Sequence, residues 1–191
     1  MPQKMYEVRW HGRGGQGVVT SSELLALAAI KEGKYVYHAP EFGPERRGAP
    51  VRAYTRISDE PIELHSGIYT PDAVVVIDPS LQGEVAAITA GLKEGGLVVV
   101  NARFPAEGLA TQARKLNARL WYVDAYRIAM EIFGRPLYNT PMLGAFVRAS
   151  GLVKIDTVLE VVQERFGRDP RVTELNVAAV KRAYEEVREY E

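Results

Sequence analysis

Near the start of the chain, Gly12 to Gly17 read GRGGQG, set between an apolar run, Met5 to Trp10, and a long Ala/Leu/Val-rich segment. Glycines packed into that junction mark a strand turning into a helix, the place where α/β proteins hold phosphates. Glycine permits positive φ and close backbone approach, and the free N–H groups of the following first turn attract anions. Gly12, Gly14 and Gly17 satisfy the spacing of the dinucleotide fingerprint. A Walker A loop is excluded, because Val18 and Val19 stand where Lys and Ser/Thr must follow the last glycine. Two readings of the turn stay open. Either Gly12, Arg13, Gly14, Gly15, Gln16 and Gly17 hold a cofactor phosphate, or the segment is a tight turn with no ligand.

The rest of the chain supports the junction. Short β-branched runs alternate with helical periodicity: Met5 to Trp10, a helix Val18 to Lys31, then Tyr35 to Ala39. A second series has strands at Ala73 to Ile77, Leu97 to Asn101 and Arg119 to Val123, with helices near Leu81 to Leu92 and Leu109 to Leu116. Such crossovers make a parallel sheet covered on both faces, and Val74 to Ile77 and Leu97 to Val100 are apolar throughout, as central strands are. Val51 to Ile57 and Ile62 to Leu64 flank Ser58, Asp59, Glu60 and Pro61, which predicts a hairpin. Beyond Asp124 three helices are expected: Thr140 to Ser150 with Thr140 as cap, Asp156 to Phe166, and Pro170 to Tyr190 capped by Asp169. Leu175, Val177, Val180, Tyr184 and Val187 form the inner face of the last. The predicted fold is a three-layer α/β/α arrangement with a mixed, largely parallel sheet and a helical C-terminal part, residues 1–191 making one domain.

Composition removes several function classes. Lys+Arg and Asp+Glu are equal at 24 each, with no basic stripe, so nucleic acid is not an expected partner. The chain has no cysteine, which excludes disulfides, thiolate nucleophiles and cysteine-ligated clusters. No run approaches about 18 apolar residues and no signal-peptide pattern opens the chain, so a cytoplasmic protein off the membrane is expected.

A second unusual segment, Ala39 to Val51, holds three prolines and adjacent Arg46 and Arg47. Stiff loops of this length are commonly functional, and an arginine pair suits a phosphate, a carboxylate or an acidic subunit surface. The alternative is a solvated loop whose arginines pair with Glu41 and Glu45. In a dinucleotide site Glu41 can serve as the ribose acid, although its loop is an odd place for one. His11 and His38 end the first two strands and are expected near the glycine turn as ordinary polar residues, without the companions a metal needs; His65 is distant. No nucleophile elbow and no carboxylate pair stands out, so no catalytic residue is assigned.

GRGGQG with Val18, Val19 and Thr20, FGPERRG at Phe42 to Gly48, then Val51 and Arg52, RISDEPI at Arg56 to Ile62, AVVVIDPSL at Ala73 to Leu81 and NTPMLGA at Asn139 to Ala145 occur in an order that resembles the gamma subunit of 2-oxoacid:ferredoxin oxidoreductases. Asn176, Ala178, Ala179, Ala183 and Tyr184 fit that family's closing helix. The resemblance implies a domain like domain III of the fused pyruvate:ferredoxin oxidoreductase. It also implies thiamine diphosphate and substrate between alpha and beta chains, and iron–sulfur clusters on beta and delta. Ferredoxin is then met through the complex, and pyruvate, coenzyme A and oxidised ferredoxin give acetyl-CoA, carbon dioxide and reduced ferredoxin. Members acting on 2-oxoisovalerate, 2-oxoglutarate or indolepyruvate fit the same residues. Coenzyme A carries a pyrophosphate that the glycine turn suits. A stand-alone NAD(P)-binding oxidoreductase domain and a pure assembly module are the other readings.

Overall fold

A computed structural model of the chain describes residues 5–41 and 47–191. The strands are β1 Met5–Arg13, β2 Tyr35–Pro40, β3 Pro50–Ser58, β4 Ala73–Val76, β5 Leu97–Asn101, β6 Arg119–Val123 and β7 Arg188–Glu189. The helices are α1 Val18–Lys31, α2 Val85–Thr89, α3 Glu107–Lys115, α4 Ala125–Phe133, α5 Asn139–Ser150, α6 Ile155–Phe166 and α7 Pro170–Glu186.

One sheet runs in the order β2-β3-β1-β4-β5-β6-β7. β1, β4, β5 and β6 pair in parallel, whereas β3 runs antiparallel to both β1 and β2, and β7 antiparallel to β6. The sheet is mixed as expected, with a parallel centre and antiparallel margins. Its central strands are buried on both faces: Val75 and Val99 join the core under α1, α5, α6 and α7, while Val74, Val76, Val98 and Val100 join the one under α2 and α3. Trp10 fills the larger core against Phe146, with ring centroids 5.4 Å apart, and its indole N–H donates to Thr55 Oγ1 at 3.1 Å.

Four expectations are corrected. Ile62 to Leu64 is not a strand, because β3 already pairs on both edges and the chain beyond it is fastened by side chains instead. Arg56, 1% exposed, pairs with Glu7 at 2.9 Å and donates to the carbonyls of Leu64, Ser66 and Gly67. Arg9, 2% exposed, donates to the carbonyl of Ile68 and to those of Ile88 and Ala90. Arginines reaching from the sheet thus cover its face with a loop where a hairpin was predicted. The segment expected as a helix from Leu81 to Leu92 divides into a 3-10 turn at Pro79–Gly83 and the short α2, with Glu84 in neither helical nor extended backbone between them.

The C-terminal part holds four helices, not three. The additional helix is α4, which Asp124 caps by accepting from Arg127 N at 2.9 Å and Gly134 closes in the left-handed region. Thr140 lies inside α5 rather than capping it, and its hydroxyl meets Asn176 of α7 at 2.9 Å. Asp169 does cap α7, accepting from Arg171 N and Val172 N. That helix buries Asn176, Ala179, Val180 and Ala183 and stops at Glu186, short of the expected Tyr190, with β7 beginning at Arg188. Small residues let α5 and α7 touch backbone to backbone: a Cβ on Gly144 would stand 2.2 Å from the Val180 carbonyl oxygen.

Candidate functional site

The chain leaves β1 into α1, which covers one face, and leaves β4 towards α2, which covers the other. Where helices part in this way, a crevice opens at the carboxyl ends of the strands, and ligands of open α/β sheets bind there. The glycine turn forms one lip and the Asp78–Ser80 segment the other.

Each glycine has its own cause. Gly12 is still in β1, and a Cβ on it would stand 2.4 Å from Val18 Cγ2. Gly15 and Gly17 have φ of +90° and +74°, the left-handed region that glycine tolerates. A Cβ on Gly17 would also meet Asn139 Nδ2 at 2.8 Å, whereas one on Gly15 would meet, among the described residues, only the Arg47 side chain, at 3.8 Å. Gly14 is tied to the neighbouring loop, donating to Ala49 O at 2.9 Å and accepting from Gly48 N at 3.2 Å. Gly17 is the N-cap of α1 and no side chain caps the helix; its first turn carries no acidic residue. The N–H groups there keep their affinity for an anion.

Gln16 works inward rather than towards a ligand. Its Oε1 accepts from Arg13 N at 2.8 Å and its Nε2 donates to Asp78. The Arg13 guanidinium donates to Ser80 Oγ at 2.9 and 3.1 Å and to Gly48 O at 3.2 Å, and lies 3.6 Å from Asp78. Burial pushes the Asp78 carboxyl up, but hydrogen bonds from Ser80 and Gln16, with the Arg13 charge, outweigh it and hold the group below the usual range. Tyr138, at the start of α5, is raised by burial and by the charge of Asp78. Ser21 Oγ donates to Asn139 O at 3.0 Å, which fixes α5 against α1. Asp78, Ser80, Tyr138 and Asn139 were not singled out as site residues from the sequence. The dipeptide Asp78-Pro79 right after a valine strand was the available signal, since it marks a capped turn at a strand's carboxyl end.

Of the expected arginines, Arg47 forms a bridge with Gly14, and its side chain lies over Gly15; Arg46 lies outside the described residues. Glu41 is engaged by Arg52, whose Nε donates to Oε2 at 2.7 Å and Nη2 to Oε1, so in this conformation it serves no ribose. Of the three histidines only His38 departs from the expected placement, since His11 adjoins Gly12 and His65 is distant. His11 faces away from α1, accepting from Arg9 Nε at 2.9 Å. His38 sits on β2, separated from β1 by β3, and His65 stacks on Tyr37 with centroids 5.0 Å apart. Among the described residues no group of three or more His, Asp or Glu could hold a metal ion, and no helix is long and apolar enough to cross a membrane.

Comparison with known proteins places this geometry. Over 187 residues, 98% of this chain and 100% of the relative, the sequence is 50% identical to the Pyruvate/ketoisovalerate oxidoreductases common subunit gamma of Thermococcus litoralis. It is 46% identical to Pyruvate synthase subunit PorC of Methanothermobacter marburgensis, covering 96% of this chain and 98% of the relative. The crystal structure of pyruvate oxidoreductase subunit PORC from Thermotoga maritima superposes with a TM-score of 0.87 at 41% identity, covering 99% of this chain and 100% of that one. The profile described as Pyruvate ferredoxin/flavodoxin oxidoreductase matches residues 7–186, and with that match the chain belongs to the pyruvate ferredoxin/flavodoxin oxidoreductase family.

Proposed function

We propose that this chain is the gamma subunit of a multisubunit 2-oxoacid:ferredoxin oxidoreductase, acting first on pyruvate, in the cytoplasm. The observation that carries the reading is end-to-end half identity with a gamma subunit named as common to pyruvate and ketoisovalerate enzymes. A chain shared by enzymes of different substrates does not itself read the substrate, which agrees with the want of a nucleophile–base pair here. Thiamine diphosphate and iron–sulfur clusters then belong to the alpha, beta and delta partners, and ferredoxin docks on the complex. With no cysteine, this chain supplies no thiolate ligand for a cluster.

Its own contribution is the anion site at the start of α1. The first-turn N–H groups, with no capping side chain, and the room over Gly15 beside Arg47 suit the pyrophosphate of coenzyme A. Of the loop expected to meet the cofactor or a partner subunit, Pro40 to Pro50, Arg47 lies over Gly15 and is the residue proposed to make that contact, while Arg46 lies outside the described residues. Affinity-tagged chain expressed in its native host should bring down companion chains containing thiamine diphosphate and iron, with pyruvate- and CoA-dependent ferredoxin reduction. A complex lacking thiamine diphosphate would overturn the subunit reading. In the assembled enzyme, Gly15→Val should raise the KM for CoA while thiamine-dependent decarboxylation persists. The β-branched residue at positive φ also strains the turn by about 1 to 3 kcal/mol, so the melting temperature is measured alongside. Normal CoA use by a folded variant makes the turn structural, and binding of NAD(H) in place of CoA returns the stand-alone oxidoreductase reading.

A further inference from the structure

His11 and Arg52 are directly opposed in the β1–β3 ladder, so both side chains leave the same face of the sheet as close neighbours. That face is the one under α2, turned away from α1. There the two residues line a cavity of about 310 Å³ whose walls include Val51, Leu81 and Ile88.

The cavity's polar groups are fixed in kind. His11 is 5% exposed, and its Nε2 accepts from Arg9 Nε. A guanidinium can only donate, so Nε2 carries no proton and Nδ1 carries one. Burial first, then the Arg9 and Arg52 charges, keep the imidazole neutral, its pKa lowered to about 3. Nδ1–H has no acceptor among the described residues, and His11 lines the cavity. Arg52 commits Nε and Nη2 to Glu41 and leaves Nη1 without an acceptor among the described residues. Behind them Arg9 spends its donors on His11 and on three carbonyls, and no hydrogen bond joins it to a carboxylate. Glu41, which also lines the cavity, balances Arg52; the Arg9 charge stands behind His11, and the exposed Glu84 completes the lining.

Two adjacent donors, one buried positive charge and an aliphatic wall define the ligand. A carboxylate has two oxygens for two donors and a single negative charge to set against Glu41 and Glu84 on the same lining, whereas a phosphate dianion needs more donors and brings twice the charge. We propose that this cavity binds a small aliphatic monocarboxylate, with one oxygen on His11 Nδ1–H, the other on Arg52 Nη1, and the tail against Leu81 and Ile88. The cavity adjoins the glycine turn and shares Gly12 with it, but its donors come from β1 and β3 rather than from the first turn of α1.

Butyrate and its uncharged counterpart butyramide are titrated into the purified full chain at pH 7, and the 15N and 1H resonances of the histidine side chains are followed. Butyrate should shift the His11 Nδ1–H signal saturably, with at least tenfold higher affinity than butyramide. Ala87→Trp, placed at the exposed rim of the cavity, should abolish the shift without touching Arg9 or His11. Arg52→Gln should weaken butyrate about tenfold and leave butyramide unchanged. Equal affinity for acid and amide, a shift that survives Ala87→Trp, or no saturation overturns the proposal; the acid–amide comparison uses wild-type protein and holds even if a variant misfolds.

Discussion

Gly144→Ala is expected to destabilise this protein, although the same change in an open helix stabilises one. Replacing a helical glycine by alanine gains about 1 kcal/mol of propensity. Here the new Cβ would lie 2.2 Å from the Val180 carbonyl oxygen and 3.0 Å from its Cα, so α5 and α7 must part by about 1 Å to restore ordinary contact. Overpacking of this kind costs about 1 to 3 kcal/mol, and the upper half of that range applies because a helix carbonyl cannot rotate aside. The net loss is about 1 to 2 kcal/mol, or a fall in Tm of about 2 to 8 °C for a domain of this size. Gly108→Ala, exposed in α3 with Val85 Cγ2 as its nearest neighbour at 3.7 Å, is the control and should gain up to about 1 kcal/mol. Both are measured by urea unfolding with coincident probes. Changes of the same sign at the two positions would refute the close-approach argument.

Two further outcomes follow from the buried polar groups. Arg56→Met removes the partner of Glu7 and the donor to three loop carbonyls, and should cost about 3 to 5 kcal/mol and make residues 59–72 the first site of limited proteolysis; a loss below about 1 kcal/mol contradicts this. His11 is lowered from 6.5 to about 3, so below pH 6.5 the unfolded chain takes up a proton that the folded chain refuses. Stability is therefore complete above about pH 6.5 and is lost as pH falls towards 3, by up to about 1.4 kcal/mol per unit, with His38 acting in the same direction. Denaturation between pH 7 and 4.5 should show a shallower slope for His11→Gln than for wild type, and identical slopes would exclude the assignment.

Elements whose signal is local were legible. The bounds of α1, β5 and β6 match the periodicity, because the valine runs and the Ala/Leu segment each satisfy one structure only. α4 was legible and overlooked, since both Asp124 and Gly134 announce it. Ile62 to Leu64 misled because its neighbours imitate a turn, while the chain from Leu64 to Ile68 is held by arginines in β3 and β1. For the site, the glycines were readable and their partners were not: Asp78 meets Gln16 from a position 62 residues away. Which glycine must be bare of a side chain, and for what reason, depends on Val18, Arg47 and Asn139 around the turn.

By itself the sequence determined the α/β class, the strand-to-helix glycine turn, the want of any thiolate ligand, and the order of motifs that marks the family. These are properties of residue type and spacing, and they hold wherever the chain folds. Only the tertiary structure decided that His11 and Arg52 stand side by side, that Arg9 dictates the imidazole's tautomer, and that α7 lies backbone to backbone on α5. Each of these depends on two segments brought together by strand register or helix packing, and register is set by the whole sheet and its two cores rather than by any one segment.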